Sequence, residues 1–505
     1  MLDRYVKKIH DARIYDLAIE TPIIAAPLIS SLLRNEILIK REDLQSVFSF
    51  KVRGAYNKLL NLSKDELERG VIAASAGNHA QGVAQAARKM EVEATIVMPT
   101  TTPQIKVDAV RQRGAQVVLI GDDFDAAAAH ASELRRKHGA VFIHPFDDPD
   151  IIAGQGTIGM EIHRQLSGPL DAVFVAVGGG GLCAGISAYL KKFRPETKII
   201  AVESDDAACF KAAMDSGERV RLSQVGIFAD GTAVRQVGEA TFAVMRETVD
   251  QVITVTTDEI CAAIKDTFND TRAICEPSGA MSLAGLKKYV AKTGAEGQRL
   301  LAIQCGSNID FDRLRYISER TETGEKREAI LAVTIDEKPG SFRSFCTALQ
   351  FRNVTEFNYR YNNESAAQVF VGVEVSSDED RYAFTNHLSE MGYRAEDLTD
   401  NEMAKLHIRH MVGGRSQEIA EEQVFRFDFP ERPGALLNFL NVLGDRWNIT
   451  MFHYRNHGSA FGRVLVAFQA TVQEDGSITK FLDSLGYRYV NETQNRSYQL
   501  FLRRT

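Results

Sequence analysis

The end of this chain repeats itself, and the repeat limits what that part can fold into. Glu337-Lys338-Pro339-Gly340 recurs as Glu431-Arg432-Pro433-Gly434 at an offset of 94, and Gly392-Tyr393-Arg394 recurs as Gly486-Tyr487-Arg488 at the same offset. Between them NVTEFNYR (353–360) recurs as NITMFHYR (448–455) at an offset of 95. Matching elements in one order at a nearly constant spacing mark a tandem duplication. Each copy reads as a strand (330–335, 424–429), a Pro-Gly turn, a helix (341–349, 435–443), two strands and a second helix, which predicts a ferredoxin-like βαββαβ module. Neither copy carries a nucleophile or an acid/base cluster at motif spacing, so the duplicated part is expected to bind rather than catalyse.

The residues before it follow another rhythm. β-Branched runs alternate with helical patterns: 71–75 then 79–90, 94–98 then 104–113, 116–120, and 172–177 leading through glycines into 184–193 and then 198–203. That alternation predicts an α/β architecture, a parallel sheet with helices on its faces and a site outside the carboxyl ends of its strands. The polar stretch ISERTETGEKRE (317–328) reads as a linker. At 505 residues the chain exceeds what one core organises, so two to four domains are expected.

Charge and composition exclude several function classes. Lys plus Arg total 60 against 67 Asp plus Glu, a net charge of −7 with both signs interspersed, which leaves no basic face for nucleic acid. No apolar run is long enough for a membrane span and the first residues lack the pattern of a secretory signal, so a cytoplasmic enzyme is expected. Cys183, Cys209, Cys261, Cys275, Cys305 and Cys346 are scattered without a CxxC pair, which reads as free thiols rather than a zinc site or disulfide framework.

Three segments of the first part can carry chemistry. In Ser49-Phe50-Lys51-Val52-Arg53-Gly54-Ala55, Lys51 can form an imine with an aldehyde cofactor; alone, the segment reads better as a solvated helix lysine. In Ser75-Ala76-Gly77-Asn78-His79, small residues expose N–H groups at a helix N-terminus, which suits a substrate carboxylate, and the Asn78 amide can hydrogen-bond a phenolic oxygen. A serine cap with glycine in a tight turn explains the same residues. In Gly178-Gly179-Gly180-Gly181-Leu182, four glycines at a strand-to-helix junction let the backbone fold into an N–H nest around a phosphate. The segment lacks the Gly-Lys-Ser/Thr of a Walker loop and the spacing of a dinucleotide fingerprint.

Together SFKVRGA, SAGNHAQG, GGGGL and EPSGA (276–280) resemble the fold-type II pyridoxal-phosphate enzymes, specifically the threonine and serine dehydratases, over Thr21 to about Arg315. The repeated part resembles the tandem ACT-like regulatory region of biosynthetic threonine dehydratases. The resemblance implies a catalytic region 1–320 of two open twisted parallel α/β sheets, with a smaller lobe at 52–158 inserted in the larger. A linker at 321–328 would follow, then α+β ACT-like domains at 329–415 and 422–505. It implies pyridoxal 5'-phosphate as cofactor, with Lys51 carrying the Schiff base and acting as the catalytic residue. Gly178, Gly179, Gly180, Gly181 and Leu182 would bind its phosphate, Asn78 its ring oxygen, while Ser75, Ala76, Gly77, Asn78 and His79 hold the substrate carboxylate. The implied reaction turns L-threonine, and secondarily L-serine, into a 2-oxo acid and ammonia at the head of isoleucine synthesis. Isoleucine would inhibit at the repeats, around Tyr359, Arg360, Tyr454 and Arg455, with valine opposing it, in a homotetramer.

Two positions depart from the family's pattern. Cys305 stands where many relatives place the serine that faces the pyridine nitrogen, with Ser307 or water as the other reading. Metal-binding relatives use a glutamate, a backbone carbonyl and an aspartate; here Glu203 and Ala207 align but Cys209 takes the aspartate position, so no metal is expected. The rival readings are a serine dehydratase or racemase, the racemase disfavoured because Ala76 stands where a racemase typically has a serine as the acid opposite the lysine, a β-replacement enzyme of the same fold, and a catalytically silent amino-acid sensor, disfavoured because lysine and glycine loop are intact.

Overall fold

The structure, a computed structural model, describes residues 1–324, 328–336, 341–349, 352, 354–359, 366–410, 422–430, 447–455, 461–469 and 475–502. The chain divides into two compact units, Met1–Phe311 and Asp312–Thr505.

The first unit holds two sheets. The larger runs in the order Ile23–Ala25, Glu36–Arg41, Arg299–Gln304, Ala172–Ala176, Lys198–Ser204, Gln251–Val255, parallel except for its first strand. The smaller runs Gln116–Leu119, Ala94–Met98, Val71–Ala74, Val141–Phe142, all parallel. Ala172–Ala176 and Val71–Ala74 are buried at every residue, as strands covered by helices on both faces must be. Both therefore read as unbroken apolar runs rather than alternating ones.

The helix Lys51–Leu60 is held by close backbone approach. A Cβ on Gly82 of the helix Asn78–Lys89 would lie 3.0 Å from the Lys51 carbonyl carbon, and one on Gly154 of the helix Pro149–Gln165 would lie 2.6 Å from the Arg53 carbonyl oxygen. Beneath it lies a closed ion cluster. Arg53, fully buried, donates to Glu42 and Glu161, and Lys40 Nζ reaches Glu161 Oε2 at 2.6 Å. Two cations face two carboxylates, so burial leaves no charge uncompensated. Lys51 thus starts a helix fixed on three sides.

The second unit holds two four-stranded antiparallel sheets. The first runs Val354–Tyr359, Ala366–Glu374, Glu328–Asp336, Arg394–Asp397; the second runs Asn448–Arg455, Phe461–Gln469, Glu422–Pro430, Tyr489–Asn491. In chain order both read second, third, first, fourth, the ferredoxin-like arrangement. Even the irregularities repeat: each second strand carries a register shift, at Val354/Glu356 and at Ile449/Met451. The helices Ser341–Ala348, Asp378–Glu390 and Asp475–Leu485 take their expected places; both Pro-Gly turns and the helix expected at 435–443 lie outside the described residues. The copies share a core in which Ile330, Phe370 and Leu398 pack with Val424, Leu465 and Tyr498.

The stretch read as a linker is helical up to Gly324, within Arg313–Gly324, and the next strand begins at Glu328. Tyr316, Ile317, Arg320 and Thr321 of this helix are buried, and Arg320 makes a two-armed ion pair with Glu402, both contacts 2.9 Å. Among the described residues no helix is long and apolar enough to cross a membrane.

Candidate active site

Lys51, Asn78, Gly178, Gly179, Gly180, Gly181, Leu182 and Cys305 line one cleft at the carboxyl ends of the first unit's strands. Four separate elements bring them there. Lys51 opens its helix with Nζ 3.0 Å from the Pro145 carbonyl and 5.2 Å from the Phe50 ring centroid. Burial pulls its pKa down to about 8, although Cys305 and Glu276 pull the other way. A lysine so placed keeps a far larger neutral fraction near physiological pH than an ordinary lysine does, and the neutral amine is the form that adds to an aldehyde.

The four glycines join the strand Ala172–Ala176 to the helix Gly181–Phe193. Each is hemmed in. A Cβ on Gly178 would lie 2.8 Å from Thr232 Cα, one on Gly179 would enter the Phe146 ring, one on Gly180 would strike Met245, and one on Gly181 would lie 3.1 Å from Phe146 Cα. Gly180 caps the helix at φ 93°, left-handed backbone that disfavours any side chain. From outside, Thr241 Oγ1 donates to the Gly179 carbonyl at 2.7 Å and Gly238 N–H to the same oxygen at 3.2 Å. The Gly179 carbonyl is thereby engaged, and the loop's N–H groups with the helix N-terminus can cradle an anion. The residues present fit a phosphorylated aldehyde cofactor: an amine of lowered pKa and a glycine loop opening a helix, in one cleft.

A second helix N-terminus, which could take an anion, lies at the end of the strand Val71–Ala74. Gly77 precedes the helix Asn78–Lys89, no side chain caps that helix, and a Cβ on Gly77 would meet nothing within 4 Å. Ser75 Oγ accepts from Gly77 N–H at 3.3 Å. The His79 ring is buried, with Nε2 2.8 Å from the Ile143 carbonyl, and burial with the nearby Lys51 pushes its pKa down to about 3. His79 is therefore a neutral structural side chain here, and what it can offer a carboxylate is its backbone N–H; Ala76 likewise has its main chain to offer.

Cys305 follows the strand Arg299–Gln304, and its thiol donates to the Ser278 carbonyl at 3.4 Å. Burial, helped by Glu276, pushes the thiol pKa well up, so the group stays protonated. Glu203 is fully buried, its two oxygens accepting from Phe210 and Lys211 N–H at 2.8 Å each; Cys209 donates its thiol to the Gly178 carbonyl at 3.7 Å. Tyr359, Tyr454 and Arg455 lie on strands opposite Val369, Val464 and Arg463, their side-chain surroundings outside what is described, and Arg360 lies outside the described residues.

The sequence did not disclose the turn Pro145-Phe146-Asp147, which serves lysine and cradle together: Pro145 accepts from Lys51, Phe146 packs on the glycines, and Asp147 caps the helix Glu239–Thr248 behind them. It has no motif to find it by. Glu276 was within reach, since EPSGA stood out, yet its partner Asn78, 2.6 Å from Nδ2 to Oε1, lies far off in sequence.

Residues 14–306 match the family of pyridoxal-phosphate dependent enzymes, and 319–408 and 413–502 each match the C-terminal regulatory domain of threonine dehydratase. The chain is 51% identical over 501 residues to a biosynthetic L-threonine dehydratase of Burkholderia multivorans, covering 99% of each. It is 47% identical to the mitochondrial threonine dehydratase of Saccharomyces cerevisiae, covering 99% of this chain and 89% of that one. Among solved structures it resembles the processed form of threonine deaminase isoform 2 from Solanum lycopersicum, with TM-score 0.62 and 51% identity over 63% of this chain and 88% of that one. The serine racemase of Dictyostelium discoideum matches with TM-score 0.56 and 34% identity over 61% and 99%.

Proposed function

This chain belongs to the pyridoxal-phosphate-dependent threonine dehydratases that carry a C-terminal regulatory region, and on that premise we propose that it converts L-threonine to 2-oxobutanoate and ammonia, accepting L-serine as a secondary substrate, at the head of isoleucine biosynthesis. The observation that carries the reading is the meeting of Lys51, Asn78 and the four-glycine cradle in one cleft.

Pyridoxal phosphate, when bound, supplies a conjugated ring that takes up the electrons released as the substrate Cα–H bond breaks. Lys51 would hold the cofactor through its amine, and that amine when free, its pKa lowered by burial to about 8, is suited to take the substrate Cα proton. The N–H groups at the start of the helix Asn78–Lys89 and the Ser75 to His79 loop orient the substrate carboxylate. The glycine loop would hold the cofactor phosphate through backbone N–H groups. Asn78 would donate to the cofactor's ring oxygen, and Cys305, a protonated thiol, would stand as a weak partner for the pyridine nitrogen, which an elimination tolerates. Loss of the β-hydroxyl as water, then hydrolysis of the resulting enamine, completes the balance: threonine gives 2-oxobutanoate and ammonia.

The duplicated unit is read as the effector region: isoleucine inhibits there, around Tyr359, Arg360, Tyr454 and Arg455, and valine opposes it, in a homotetramer. Support comes from the two regulatory-domain matches and the doubled fold. A cytoplasmic site of action accords with six free cysteines, five of them buried. The test is a visible absorption spectrum of the purified protein with threonine added and 2-oxo acid assayed. A cofactor band that changes on addition of threonine while 2-oxo acid accumulates supports the reading; a colourless protein that yields none overturns it.

A further inference from the structure

Asn308 lies three residues beyond Cys305, where the chain leaves the strand Arg299–Gln304 and is stitched to the segment before Lys51. Phe50 N–H donates to the Cys305 carbonyl at 3.2 Å and Ser307 N–H to the Phe48 carbonyl at 2.9 Å. The Asn308 side chain adds a third stitch, with Nδ2 2.8 Å from the Val47 carbonyl oxygen and 2.6 Å from Asn78 Oδ1.

Those two contacts fix the direction of every amide in the row. A main-chain carbonyl can only accept, so the Asn308 atom facing Val47 is its NH2, whichever way the amide is drawn. Opposite that donor Asn78 must present its oxygen. The Asn78 NH2 then faces the cleft, where it meets the Glu276 carboxylate at 2.6 Å. The row is anchored at both ends by groups that accept.

We infer that Asn308 is a positioning residue that locks the Asn78 amide with its NH2 toward the cofactor. One hydrogen of that NH2 goes to Glu276 and the second is left for the ring oxygen. The inference rests on the proposed reading of the cleft, in which Asn78 donates to that oxygen. Through Val47 the same row ties the orientation of Asn78 to the segment that carries Lys51, so the covalent anchor and the ring contact keep one register.

Asn308→Asp tests this, because a carboxylate keeps the shape and exchanges the donor for an acceptor. It draws the Asn78 NH2 toward itself and turns the Asn78 oxygen to the ring oxygen, acceptor against acceptor. Asn308→Ala merely frees Asn78. The affinity of the apoprotein for pyridoxal phosphate, read by fluorescence quenching, should therefore fall on the order of tenfold in Asn308→Asp and by less in Asn308→Ala, the reverse of the order that bulk alone would give. On an Asn78→Ala background Asn308→Asp should add nothing. If Asn308→Asp folds poorly, Asn308→Leu replaces it: it must resemble Asn308→Ala if the donor matters, and wild type if bulk matters. Weaker cofactor binding in Asn78→Ala, with Asn308→Asp no worse than Asn308→Ala or equally damaging on both backgrounds, would overturn the positioning role alone. Unchanged affinity in Asn78→Ala would overturn the reading of the cleft and the positioning role with it.

Discussion

The two units are built on opposite plans. In Met1–Phe311 the groups that meet in the cleft come from elements far apart in the chain, each appearing once: a helix-opening lysine, a loop after one small-sheet strand, a glycine loop and the end of a large-sheet strand. In Asp312–Thr505 nearly everything appears twice. Buried Glu328 accepts from Thr355, and its counterpart Glu422 from Thr450. Asn401 and Asn495 cap matching helices, and Asn401 Nδ2 reaches Asn495 Oδ1 at 3.0 Å, so equivalent residues face each other across a local two-fold. The copies have also diverged: the Tyr498 hydroxyl donates to Glu422, and the equivalent position of the first copy is Ala404. Chemistry on one substrate needs different groups at different points; a sensor can be assembled by doubling one module and then altering each copy.

If that division holds, changes in the first unit should be severe and local. The largest effect is expected for Lys51→Ala, which should abolish covalent cofactor attachment and lower turnover by on the order of 10³-fold or more, read by the visible spectrum and the 2-oxo acid assay. The intact lysine carries a pH signature. Its folded pKa is lowered to about 8, so the neutral amine is depleted below that value, and the rate at which apoprotein recombines with cofactor should rise as pH passes upward through about 8. Next comes Arg53→Ala, which leaves buried Glu42 and Glu161 with Lys40 as their one remaining cation in the cluster and should cost about 3–5 kcal/mol in denaturant unfolding. Gly180→Ala, strained at φ 93° and blocked by Met245, should weaken cofactor binding about tenfold while leaving the regulatory unit folded. The smallest is Asn401→Ala: losing one cap and the contact with Asn495 should cost about 1 kcal/mol and leave cofactor affinity unchanged. A loss of cofactor from that last change would blur the division between the units.

How much of this was legible depended on the kind of signal. The parallel sheets announced themselves because their strands are buried on both faces, and the duplication because its copies keep a constant spacing. The linker was misjudged because Arg320 and Glu402 satisfy each other across 82 positions, so a polar run hides an ordered helix face. Lys51, Asn78 and the glycines were visible as motifs since each sits where a strand ends or a helix begins. The Pro145 turn, Glu276 and Asn308 were not, because their roles are contacts, and a backbone carbonyl or a single amide leaves no pattern in sequence.

The division of labour is tested most directly by threonine saturation curves of the full chain, with and without isoleucine, for wild type and for Tyr359→Ala combined with Tyr454→Ala. In wild type isoleucine should raise the half-saturating threonine concentration and make the curve sigmoidal, as an effector favouring one global state does. The double variant should lose that response while keeping the cofactor spectrum and the uninhibited rate. A double variant that responds as wild type does, or a wild type indifferent to isoleucine, would contradict the assignment of sensing to the repeated unit.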